Sequence, residues 1–135
     1  MIHPLKIYGR ILFIRQGCPY CAKWEKFIYS LNQELKLDKR IKVIDCTKYH
    51  NYGIYDDPII KLFEEDFDSF PTLFFEGEKK EGANSTIECK AWLVTRLLLA
   101  GDFIFPKSPE YLPEINDYMI FDKKCKYINK RVYCQ

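Results

Sequence analysis

Cys18-Pro19-Tyr20-Cys21 stands where the chain changes from strand-like to helical patterning, and that junction constrains the fold more than any other feature. Before it, Arg10 to Arg15 reads RILFIR, a short isoleucine-rich run suited to a strand buried on both faces. Gln16-Gly17 breaks the run, and Pro19 falls where a helix favours its first proline. Trp24, Phe27, Ile28, Leu31 and Leu35 then recur at helical spacing and predict a helix from about Pro19 to Lys36. Ile41 to Asp45 (IKVID) is a second buried strand. Strand, helix and strand of these lengths make a βαβ unit, hence a parallel pair.

The stretch from Thr47 to Asp57 is polar and aromatic and is expected to be a long loop. Asp57-Pro58 caps a second helix, about Pro58 to Asp66, set among the acidic residues Asp56, Glu64, Glu65 and Asp68. Phe70 to Phe75 is a strand introduced by Pro71, and the charged run from Gly77 to Gly82 reads as a turn into a short fourth strand. Ser85-Thr86-Ile87-Glu88 has the capping-box pattern, Ile87, Ala91, Val94 and Leu98 share one helical face, and Gly101 ends that helix. The order is β-α-β-α-β-β-α over residues 10 to 101. Pro106, Pro109 and Pro113 then mark an irregular passage, and Lys123 to Arg131 carries five basic residues and no acidic one.

Composition narrows the function. Among 135 residues, 47% are apolar and 16% aromatic, enough for a packed core in one domain. The 21 basic and 19 acidic residues leave a formal net charge of +2, so nucleic acid is not an expected partner. No apolar run reaches the length of a membrane span, and the first residues lack the apolar core of a signal peptide, so no membrane is expected and the chain reads as cytoplasmic.

The cysteines are Cys18, Cys21, Cys46, Cys89, Cys125 and Cys134. Cys18 falls at the cap of the first long helix, where backbone N–H groups and the helix dipole favour a thiolate. Cys21 lies one turn inside, within reach of a disulfide, and is expected to be the less exposed and less acidic of the two. A zinc site needs two further ligands. His50, Cys46 and Cys89 are available, but none stands at a paired ligand spacing, so no metal is assigned.

This motif at a strand–helix junction resembles the active site of dithiol glutaredoxins in the thioredoxin superfamily. Phe70-Pro71-Thr72 sits where that superfamily places its cis-proline loop, and Gly82 to Thr86 resembles the Gly-Gly-x-x-Asp segment before the last helix. The resemblance covers about residues 8 to 101. It implies an α/β, thioredoxin-like (glutaredoxin-like) four-stranded mixed sheet flanked by three helices, with residues 102–135 as a C-terminal extension packed on the 1–101 domain. It implies a thiol–disulfide oxidoreductase in which Cys18 attacks, Cys21 resolves and Pro71 shapes the groove. Arg15, Tyr20, Phe70, Ser85 and Thr86 line the expected glutathione site, with Arg15 and the amides at Ser85 and Thr86 meeting the two carboxylates. Glutathione is then a cosubstrate rather than a bound cofactor, disulfide-containing proteins are the other partners, and the chain is expected to be a monomer.

The pattern departs from the family at Thr86, where an acidic residue is usual, and at Phe70, where valine is common. Tyr49, His50, Tyr52 and Tyr55 add an aromatic cluster. Two rival readings follow: a client-specific disulfide reductase or oxidase of the same fold that ignores glutathione, and a non-catalytic binding module. Cys46 is expected to be a buried small hydrophobe and Cys89 a half-buried spectator. Cys125 and Cys134 flank KYINKRVY, a segment able to fold back as a hairpin; a disulfide and two reduced thiols are both compatible with the sequence.

Overall fold

A computed structural model describes residues 2–33, 35–82 and 86–101 and three later strands. The elements run α1 (Pro4–Tyr8), β1 (Arg10–Ile14), α2 (Pro19–Asn32), β2 (Lys42–Asp45), α3 (Thr47–Tyr52), α4 (Pro58–Phe63), β3 (Thr72–Phe75), β4 (Glu78–Glu81) and α5 (Thr86–Leu99). The protein is α/β, with a four-stranded mixed sheet in the order β2-β1-β3-β4. β1 is parallel to β2 and antiparallel to β3, and β3 and β4 form a hairpin.

All five residues of β1 are buried, because helices cover both faces of the sheet at its centre. Leu12 and Ile14 face one layer with Trp24, Ile28 and Leu31 of α2 and Leu93, Val94 and Leu97 of α5. Ile11 and Phe13 alternate to the other face, against Ile60, Phe63, Phe67 and Phe74. The outer strand β4 is EKKE and mostly exposed, a charged edge that discourages pairing with another chain.

The sheet and the helices α2, α4 and α5 stand where expected, but the count of three flanking helices does not hold. There are five α-helices among the described residues. α1 is begun by His3, whose Nδ1 accepts from the Leu5 N–H at 3.1 Å. α3 occupies the first half of the expected 47–57 loop and ends at Gly53, whose φ of 69° provides a left-handed cap. The Asn32 side chain donates to the Ile41 carbonyl (2.9 Å) and accepts from the Ile41 N–H (2.8 Å). That clamp ends α2 earlier than its apolar spacing predicts, while Leu35 remains in the core.

Beyond residue 116, β5 (Asp117–Ile120), β6 (Lys123–Ile128) and β7 (Arg131–Cys134) form a second, antiparallel sheet in the order β5-β6-β7. The hairpin expected of KYINKRVY is the β6–β7 pair. Pro106, Pro109 and Pro113 lie outside the described residues.

Cys46 is fully buried, as expected, with its N–H on the Ile14 carbonyl at 2.7 Å. Burial, reinforced by Asp45, Asp56 and Asp57, pushes its thiol from 9.0 up to about 12. Below pH 9 the folded and unfolded chains both keep this proton. Between 9 and about 12 the unfolded chain sheds it and the folded chain retains it, so stability falls as pH rises. Cys46→Ala is expected to remove about 1.4 kcal/mol per pH unit from that alkaline slope. Urea unfolding of both proteins over this pH range checks it; parallel slopes would refute the assignment.

Candidate active site

The turn between β1 and α2 builds the site. Gly17 adopts a φ of 79°, a conformation that L side chains rarely adopt, and this carries the chain from the strand end to the helix cap. Cys18 is the N-cap of α2, and its Sγ accepts a hydrogen bond from the Cys21 N–H at 3.2 Å. Its sulfur therefore sits at the positive end of a 14-residue helix, held by a first-turn donor.

The two thiols differ in access. Cys18 is half-buried, whereas Cys21 is 1% exposed within the core on the α2 and α5 side. Burial, and then the hydrogen bond with Cys18, push the Cys21 thiol up to about 12. A backbone hydrogen bond from Arg15 and the Arg15 charge oppose that rise. Cys21 is thus a protonated thiol at neutral pH, buried behind the half-buried Cys18.

The Phe70–Pro71 peptide bond is cis, as the loop pattern led us to expect. The Phe70 carbonyl lies 3.8 Å from the Cys18 sulfur and accepts from it. Pro71 is buried, and its carbonyl accepts from the Gly82 N–H at 2.7 Å, tying the loop to the end of β4. The structure thus brings Cys18, Cys21, Arg15 and Phe70 together. The Arg15 guanidinium meets the Gln16 carbonyl at 3.3 Å, an exposed contact that leaves it close to the motif. Tyr20 is 44% exposed in the first turn of α2. Thr86 is the first residue of α5; Ser85, with Ala83 and Asn84, lies outside the described residues.

One site neighbour was not legible as such. His50, on α3, sets its ring edge-on to Phe70 with centroids 5.6 Å apart, and Phe67 does the same from the core at 5.6 Å. α3 is anchored beside the motif because the Thr47 hydroxyl accepts from the Gln16 N–H at 2.9 Å and donates to the Asp45 carboxylate. Tyr49 and Tyr55 pair with each other, and the Tyr55 hydroxyl bonds the Glu64 carboxylate, so these two serve packing. Tyr52 is 75% exposed. The only sequence signal for His50 was its place in the aromatic cluster, since the contact with Phe70 spans twenty residues. Cys89 is fully buried rather than half-buried, with its thiol on the Gly82 carbonyl at 3.7 Å, so it is part of the core.

Among the described residues no three His, Cys, Asp or Glu side chains gather as a metal site, and no helix is long and apolar enough to cross a membrane. No protein-family model, curated protein or solved structure matches the chain.

Proposed function

We propose that residues 1–101 form a thioredoxin-like domain and that the chain is a glutaredoxin-type thiol–disulfide oxidoreductase with glutathione as cosubstrate. One observation carries the reading: the sulfur of half-buried Cys18, at the start of α2, accepts the Cys21 N–H, with the Cys21 thiol buried behind it.

The chemistry follows from that asymmetry. Cys18, as thiolate, attacks one sulfur of a substrate disulfide; the S–S bond breaks and the departing sulfur takes a proton. The substrate half now on Cys18 leaves in one of two ways. Cys21 attacks the Cys18 sulfur, the substrate thiol departs with the Cys21 proton, and a Cys18–Cys21 disulfide remains. Alternatively, glutathione attacks the bound half and frees Cys18. In the first route two glutathione thiols then reduce the protein disulfide and become glutathione disulfide. The raised Cys21 thiol holds its proton until the mixed disulfide offers it a leaving group.

Arg15 is proposed to bind a glutathione carboxylate, and the N–H groups at the start of α5, with Ser85 and Thr86, the other. Glutathione-dependent turnover of a glutathionylated peptide tests the function. Arg15→Ala is expected to raise the glutathione concentration for half-maximal rate about tenfold to a hundredfold, the equivalent of a lost charge-assisted contact of about 1.5–3 kcal/mol. No glutathione-dependent turnover by the wild type, with intact reduction of a protein disulfide, would instead establish the client-specific reductase. The His50 ring against Phe70 and the exposed Tyr20 and Tyr52 are the observations that favour that second reading.

A further inference from the structure

Outside the candidate active site the fold brings one other pair of cysteines together. β6 and β7 are antiparallel, and their register sets Cys125 directly opposite Cys134. Directly opposed residues share one face of the sheet. Their Cα atoms are about 4.5 or 5.5 Å apart, according to whether the pair is hydrogen-bonded. Both values fall inside the roughly 4.4–6.8 Å span between the Cα atoms of a disulfide. A slip by one residue would lose this opposition, so the register itself carries the argument.

One further observation points the same way: Cys21, Cys46 and Cys89 are all buried in the core packed around the first sheet, which removes them as competing partners.

We propose that Cys125 and Cys134 are a second thiol–disulfide site, oxidised to a cross-strand disulfide by a low-molecular-weight disulfide. One thiolate attacks the reagent's S–S bond and displaces one small thiol, leaving a mixed disulfide. The second protein thiol then attacks the protein-bound sulfur and displaces the other small thiol. The two protein thiols lose two protons and two electrons, and the reagent gains them as two thiols. The site needs neither Cys18 nor Cys21, so it stands apart from the proposed function.

The test uses the full chain equilibrated with glutathione disulfide, blocked with an alkylating agent and mapped after digestion without reductant. The expected product is a Cys125–Cys134 linked peptide that dithiothreitol reverses. Amide exchange in β6 and β7 is expected to slow on the order of 100-fold on oxidation, as closing so short a loop predicts. Cys134→Ser should stop at a glutathione adduct on Cys125. Two alkylated thiols, two separate glutathione adducts, or a link from either residue to another cysteine would overturn the proposal. The state of Cys18 and Cys21 is read from different peptides of the same digest, so failure at one site is distinguishable from failure at the other.

Discussion

Phe13→Ala is expected to bring the protein close to unfolding. Phe13 is fully buried in β1, in register with Ile44 on one side and Thr72 on the other. Its ring stacks on Phe67 at 4.7 Å and meets Phe63 at 5.5 Å and Phe74 at 5.7 Å. Truncation removes the transfer free energy of the ring and leaves a cavity walled by three aromatics that cannot collapse together. Such a change costs about 3–5 kcal/mol. A domain of this size holds about 5–15 kcal/mol in all, so most of the margin is lost. Tyr29→Ala, at a position 70% exposed on α2, is expected to stay within about 0.5 kcal/mol of the wild type. Urea unfolding of the three proteins checks both figures. A loss below about 1 kcal/mol for Phe13→Ala would mean that this face is not the packed layer described.

The second large effect is chemical. Cys18→Ser is expected to abolish both removal of glutathione from a mixed disulfide and reduction of a protein disulfide, because each begins with attack by that sulfur. Cys21→Ser should separate the two activities. Deglutathionylation needs only Cys18, with free glutathione completing the cycle, so it is retained. Dithiol reduction of a protein disulfide needs the buried second thiol and should be mostly lost. Equal loss of both in Cys21→Ser, with the fold intact, would mean that Cys21 does more than resolve an intermediate.

The parts of the fold that could be read from sequence are those whose burial leaves a long periodic trace. β1 shows as an uninterrupted apolar run because helices cover it on both faces, and α2 shows as a repeat from Trp24 to Leu31 because one side of it is in the core. α1 and α3 left no such trace. Helices of five and six residues are unstable alone, and these two are held by contacts distant in sequence. For α1 one is the Lys6–Asp66 ion pair at 2.9 Å, and for α3 it is the Gln16–Thr47 hydrogen bond. In the second sheet only β6–β7 was legible; the strand β5 has no pattern that separates it from the preceding passage. The same division applies to the site. Cys18 and Cys21 belong to one four-residue motif and Phe70-Pro71 to a dipeptide, whereas the approach of His50 to Phe70 depends on how α3 is tied down.

The central claim is that Cys18 is the attacking sulfur and Cys21 the resolving one. Trapping the first intermediate tests it most directly. Cys21→Ser is mixed with one equivalent of a glutathionylated peptide in the absence of free glutathione, blocked rapidly with an alkylating agent and mapped by mass spectrometry. The account predicts released peptide thiol and glutathione bound to Cys18. Peptide released with the glutathione on another cysteine, or no release while the wild type turns over, would contradict it.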